Sequence, residues 1–65
     1  MQLPELSREQ VTLKFACSHA ELGRLLREMK APLPVRLNGT ILFYRDEVDA
    51  AIPAVTALLA RRRAH

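Results

Sequence analysis

The side chains best suited to bind a ligand lie in one helix-forming segment that begins after Ser18. Leucines at helical spacing would face a core there, which leaves a polar strip on the opposite side of the helix. The strip consists of His19, Ala20, Gly23, Arg24 and Arg27. Arginines donate hydrogen bonds to phosphates and to guanine edges, and small neighbours let a helix approach closely. The strip therefore predicts contact with duplex DNA, with an ordinary solvated helix face as the alternative interpretation.

A second candidate group surrounds a dipeptide that strongly favours a tight β-hairpin, Asn-Gly. Short apolar segments at residues 35–37 and 41–44 flank it and predict two strands. The candidate contact residues of this hairpin are Arg36, Asn38, Gly39 and Thr40. The dipeptide forms the turn under either interpretation, so a phosphate or minor-groove contact at the tip is an additional expectation.

The register of the hairpin is open in the sequence. A two-residue loop would pair Leu37 with Thr40, whereas a three-residue loop would turn Ile41 and Phe43 inward. We favour the three-residue loop because it leaves Arg36 facing outward.

Two capping boxes predict where the first two helices begin. Ser7 is followed by Gln10, and Ser18 is followed by Glu21, at the spacing that lets each pair exchange side-chain and backbone hydrogen bonds. The first helix is expected over Arg8–Phe15. Both serines also mark helix N-termini, where amides and hydroxyls can meet phosphates. Glu21 could instead accept a hydrogen bond from cytosine, but we favour its role in the box.

The second helix is expected to run to Ala31, because the residue before Pro32 is pushed out of the helical region. Its apolar stripe consists of Leu22, Leu25, Leu26 and Met29. Gly23 lies opposite this stripe and costs about 1 kcal/mol relative to alanine in a helix interior. A close approach to DNA would compensate for that cost, and simple tolerance of the glycine is the alternative. A brief link joins the two helices, so the segment predicts a helix-turn-helix.

The last third of the chain predicts further helix. Asp46 is expected to cap a helix over residues 47–52, and Pro53 either kinks it or begins a fourth, additional helix over about residues 53–63. The whole chain is expected to form one mainly α-helical domain of 65 residues, a winged helix-turn-helix with three to four short helices and its core in about residues 6–52.

Charge is distributed unevenly. The chain has 10 Lys and Arg against 7 Asp and Glu, and Arg61–Arg63 supply three of the 10. Residues 1–60 therefore carry 7 basic and 7 acidic side chains and have no net charge. If such a body binds nucleic acid, the fold must gather the basic groups on one surface.

Several classes of protein are not expected. The chain has one cysteine, no metal-ligand spacing, no membrane-spanning run and no signal-peptide pattern at its start, which favours the cytoplasm. Neither an enzyme nor a cofactor is expected, because no nucleophile and base are placed together, and His19 has no partner for catalysis. Cys17 is interpreted as a small buried apolar residue.

The chain resembles the small excisionase/AlpA-type winged helices of the MerR superfamily. The resemblance lies in the two capped helices, the segment from Pro32 to Leu37 and the run from Phe43 to Ala50. The resemblance covers about residues 6–52. The matching positions are Leu6, Ser7, Ser18, Leu22, Leu25, Pro32, Pro34, Glu47, Val48, Asp49 and Ala50. Members often carry an aromatic residue and a tryptophan where this chain has Gly23 and Ala51.

The resemblance implies a DNA-binding factor of a phage or other mobile element. Many such proteins are recombination directionality factors, which bind adjacent sites, bend DNA and bias a tyrosine integrase toward excision, and others are transcriptional regulators. The expected partners are double-stranded DNA in the bacterial nucleoid, an integrase and further copies of the chain, with no small-molecule effector. A different class, a protein-interaction module that does not bind DNA, is the remaining alternative because the body is neutral.

Overall fold

The computed structural model describes residues 2–64, which form three helices and one two-stranded antiparallel hairpin. The elements are α1 (Arg8–Phe15), α2 (His19–Arg27), β1 (Val35–Leu37), β2 (Thr40–Leu42) and α3 (Arg45–Arg63). This arrangement confirms the expected class, a mainly helical helix-turn-helix with a hairpin wing. Within the described residues, no helix is long and apolar enough to cross a membrane.

Both capping boxes form as predicted. The Ser7 amide donates to Gln10 Oε1 over 2.8 Å, and the Gln10 amide donates to Ser7 Oγ over 3.2 Å. In α2 the corresponding distances between Ser18 and Glu21 are 2.9 and 3.0 Å. Each box satisfies backbone donors that have no partner within the helix, so both helix starts are determined locally.

The second helix ends earlier than the sequence predicts. It stops at Arg27, and Met29 adopts a left-handed conformation with φ of 57°. The Lys30 amide then donates to the Leu25 carbonyl over 2.8 Å, and the Met29 amide to the Leu26 carbonyl over 3.1 Å. These two bonds form a Schellman motif, which terminates a helix before any proline acts. Met29 is consequently 76% exposed. The prediction that it belongs to the apolar stripe is therefore wrong.

The favoured register of the wing is also wrong. Leu37 pairs with Thr40, so the loop has two residues. Asn38 and Gly39 both have positive φ, 51° and 81°, as a type I′ turn requires. Phe43 is buried although it lies outside the paired strands, because the chain continues past β2 and forms an isolated bridge with Leu6. Its burial therefore did not require the three-residue loop.

A single helix occupies the C-terminal third. Pro53 lies inside α3, so residues 53–63 are the second half of that helix and not a separate fourth one. Proline lacks an amide proton and crowds the carbonyl four residues earlier, but both groups are at the surface, where water can bond the carbonyl. The predicted cap at Asp46 is wrong too. Tyr44 precedes the helix without a side-chain cap, and Asp46 lies in the first turn.

One apolar core joins the three helices and the base of the wing. Its buried members are Leu6, Val11, Phe15, Leu22, Leu25, Ala31, Phe43, Val48, Val55 and Leu59. α1 packs against both α2 and α3. The wing strands contribute little to this core, since all three residues of β1 are exposed.

Candidate nucleic-acid interface

The outward face of α2 is where the candidate groups are concentrated. Leu22 and Leu25 are fully buried, which fixes the rotation of the helix about its axis. The side chains on the other side are exposed at His19, Ala20, Arg24 and Arg27. The structure therefore places four of the five residues of the predicted strip at the surface, and Gly23, the fifth, is half-buried between them.

A residue from α1 explains the partial burial of Gly23. Arg8 crosses the start of α2, and its Nη2 donates to the His19 carbonyl over 3.0 Å. A methyl group on Gly23 would lie 3.3 Å from Arg8 Nη2 and 3.6 Å from Arg27 Nη1. The glycine thus leaves room for two guanidinium groups, one from each helix of the helix-turn-helix. We call Arg8 and Arg27 the Gly23 arginine pair.

Glu21 in α2 and Glu28 directly after its last residue are both engaged by arginines. Glu28 accepts from Arg24 Nε over 3.1 Å, and its other oxygen forms an ion pair with Arg62 of α3. Hydrogen bonds from Arg62 and Arg24 hold the pKa of the Glu28 carboxyl below its usual value. Arg24 donates to Glu28 through Nε.

Glu21 is held in a similar way. Arg63 Nη2 lies 3.2 Å from each Glu21 oxygen and also donates to the Ala16 carbonyl over 3.0 Å. The backbone amide of Ser18 and the Arg63 guanidinium lower the pKa of the Glu21 carboxyl. The favoured interpretation of Glu21 as a member of the capping box is confirmed. We call the five residues of these contacts the α2–α3 ion-pair cluster: Glu21, Arg24, Glu28, Arg62 and Arg63.

The hydroxyls of Ser7 and Ser18 form hydrogen bonds with the backbone. Each hydroxyl accepts a hydrogen bond from the third residue of its own helix, so Ser7 and Ser18 are structural caps. A hydroxyl that accepts in a cap keeps its own proton available as a donor. A phosphate contact from either serine is therefore compatible with its capping role.

The wing candidates form a separate group. Arg36, Asn38, Gly39 and Thr40 are all exposed, and nothing lies within 4 Å of the position a Gly39 methyl would take. Among residues 2–64, no hydrogen bond or ion pair connects the hairpin to α2. The structure thus keeps the predicted wing residues together but does not join them to the α2 strip.

Cys17 lies half-buried in the turn between α1 and α2, against the core. Burial, followed by the nearby Glu21 carboxylate, raises the pKa of the thiol. The thiol is therefore protonated at neutral pH and behaves as a small apolar side chain.

Neither Arg8 nor the pairing of Arg62 and Arg63 was predicted from the sequence. Arg8 is the first residue of α1, 11 positions before its partner His19. One signal was present, since a glycine in the middle of an amphipathic helix indicates that another group comes close. For the arginines of α3 no local signal exists, because their partners are 34 and 42 residues away.

Comparisons of this chain with protein-family models, with curated proteins and with solved structures gave no match.

Proposed function

We propose that this chain is an excisionase-like architectural protein that binds duplex DNA with α2 in the major groove and the wing against the backbone. One observation carries the proposal: the exposed face of α2 carries Arg24 and Arg27, while Glu21 in α2 and Glu28 directly after it are ion-paired with arginines of α3. This grouping of basic side chains on one face supports contact with a polyanion.

The proposed mechanism involves no catalysis. Arg24 and Arg27 would donate to base edges or phosphates, and Ser7, Ser18 and the wing residue Arg36 would contact the backbone. His19, Ala20 and Gly23 would let the helix approach the bases. The hairpin tip at residues 38–40 would reach the adjacent groove or backbone.

Several copies on adjacent sites are part of the proposal. Bending a DNA site by 40–90° costs on the order of 1–6 kcal/mol. One small module has few contacts with which to offset that cost, so cooperative loading is the physical expectation. A bent array of this kind is what would bias a tyrosine integrase toward excision in the bacterial nucleoid. An AlpA-like transcriptional role would use the same surface.

A gel-shift titration tests the proposal, on attachment-site and promoter fragments of the source genome with random competitor DNA at two salt concentrations. A ladder of successively slower bands is the expected result. The Arg24→Ala/Arg27→Ala variant should lose affinity by roughly 1–3 kcal/mol per base contact removed. Lys14→Ala/Arg45→Ala is the matched control: it also removes two positive charges, but from ion pairs with Asp49 and Glu5 that lie away from α2.

A protein-interaction module is the second candidate, and exposed apolar side chains favour it. Leu13 is 77% exposed on α1, and Ile41 is 46% exposed on the wing. Absence of any shift at low salt would refute the DNA proposal in favour of this candidate, and equal binding by both double variants would refute α2 as the contact surface.

A further inference from the structure

Within residues 2–64, the Gly23 arginine pair has no acidic partner. Ion pairs engage Lys14, Arg24, Arg45, Arg62 and Arg63 but neither Arg8 nor Arg27. The two guanidinium groups border the same space, since Nη2 of Arg8 and Nη1 of Arg27 lie 3.3 and 3.6 Å from the position that a Gly23 methyl would take. Two like charges on one surface repel each other, and an anion bound by both would offset that repulsion.

The position of Arg8 is fixed by the fold. It directly follows the cap residue Ser7, inside the capping box, so its backbone is anchored at the start of α1. Its hydrogen bond to the His19 carbonyl uses one Nη2 proton and holds the guanidinium over the N-terminal turn of α2. A guanidinium has five donors, so several remain for a ligand. Preorganised donors of this kind cost less ordering when a ligand binds.

We propose that Arg8 and Arg27 together bind a single phosphodiester group of the DNA backbone, and that Gly23 is glycine because this site needs the space. The inference rests on the proposed DNA binding and adds Arg8, a residue of the other helix, to the interface. It also assigns Gly23 a specific role: the glycine keeps two guanidinium groups together, in addition to letting α2 approach DNA. Arginine suits the site because its planar fork matches two phosphate oxygens.

The salt dependence of DNA affinity tests the site. Losing one phosphate contact lowers the slope of log K against log salt by about 0.9. Arg8→Gln should lower the affinity by about tenfold at low salt, and Arg8→Lys should recover part of that loss. The reduction in slope is expected in Arg8→Gln/Arg27→Gln, because Arg27 alone still contacts the phosphate when only Arg8 is removed. Arg61→Gln is the control, because it removes the same charge from an exposed arginine that has no ion pair among the described residues.

Gly23→Ala provides a second, independent readout. Alanine favours the helix, so the melting temperature should rise. The added methyl would lie 3.3 Å from Arg8 Nη2, which must shift, so DNA affinity should fall while stability increases. A glycine that is merely tolerated would give the higher melting temperature without loss of affinity.

The outcomes separate the two proposals. If the wild-type chain binds DNA but Arg8→Gln or Gly23→Ala keeps the wild-type affinity, the phosphate site is refuted and the proposed function stands. If the wild-type chain shows no salt-dependent DNA binding, the proposed function fails and the site fails with it.

Discussion

Two groups of arginines surround α2, and their surroundings are opposite. In the α2–α3 ion-pair cluster, Arg62 and Arg63 contact Glu28 and Glu21 directly. The Gly23 arginine pair contacts a backbone carbonyl and no carboxylate among residues 2–64. The same residue type therefore neutralises acids on one side of the helix and is available to an anion on the other.

The difference teaches how a segment with balanced charges can present a basic face. α2 and the residue that follows it, residues 19–28, carry two acidic and two arginine side chains, which would give little net potential. α3 adds two arginines beside the acids and α1 adds one beside Gly23. The basic character of this face thus arises from packing three helices together and not from the composition of α2 alone.

The largest expected effect tests whether apolar packing of α3 holds the α2–α3 ion-pair cluster in position. Leu59 is 3% exposed and lies in the half of α3 that carries Arg62 and Arg63. Leu59→Ala should lower the free energy of unfolding by about 2–5 kcal/mol, because it removes buried methyl groups and leaves a cavity. Urea denaturation measures this loss.

The half-buried Leu58 is the control for that experiment, and Leu58→Ala should cost clearly less. We expect Leu59→Ala to exceed the loss in Arg62→Gln/Arg63→Gln, since exposed ion pairs contribute little to stability. If the arginine variant were the less stable of the two, ion pairing and not apolar packing would hold α3 on α2.

The next effect concerns Pro53, which separates the two halves of α3. Proline is about 3 kcal/mol less favourable than alanine inside a helix, so Pro53→Ala should raise the free energy of unfolding by about 1–3 kcal/mol. Thermal and urea unfolding would show the gain. A loss of stability would contradict this and would mean that the path of α3 at Pro53 is needed to bring its arginines to Glu21 and Glu28.

Removing the two α3 arginines of the α2–α3 ion-pair cluster should have a smaller effect, which concerns DNA binding. Arg62→Gln/Arg63→Gln leaves Glu21 and Glu28 without these partners next to the proposed interface. DNA affinity of the variant should be about three- to tenfold below that of the wild type at low salt. At high salt, where charges are screened, the difference between the two affinities should become smaller. Filter binding at two salt concentrations measures this.

Arg61→Gln, measured beside that double variant, separates local neutralisation from total charge. Arg61 is exposed and has no ion pair among residues 2–64, so its loss should change affinity much less. If each arginine of the three reduced affinity equally, the end of α3 would act as a general basic segment.

How much of this could be predicted from the sequence depends on the range of the interactions. The two capping boxes and the Asn38-Gly39 turn are local, and each formed where its pattern indicated. The hairpin register was misjudged because outward placement of Arg36 was weighed above the type I′ preference of the turn itself. Turn chemistry determined the result, since neither face of this wing is deeply buried.

The end of α2 and the full set of candidate site residues were harder to predict from neighbouring residues in the sequence. Met29 takes a left-handed conformation that most side chains avoid, so no residue pattern marked the end of α2. The polar strip of α2 was predictable from the spacing of its leucines. Arg8 was not, because its position next to Gly23 follows from the crossing of α1 over α2.

The smallest expected effect is on how stability depends on pH in the acidic range. The pKa values of Glu21 and Glu28 lie below the ordinary value of 4.5 in the folded chain. The Ser18 amide and Arg63 at Glu21, and Arg62 and Arg24 at Glu28, therefore stabilise the charged carboxylates above pH 4.5, and this contribution is lost as the pH falls through the lowered folded values. In Glu21→Gln/Glu28→Gln the stability should decline less steeply over this acidic range than in the wild type, as followed by urea unfolding at a series of pH values. Glutamine keeps the capping box at position 21, as Gln10 does in α1, so the change isolates the charge. Glu9→Gln/Glu47→Gln removes two carboxylates that form no ion pair within residues 2–64, and a profile as flat as that of the first variant would contradict the role of the cluster.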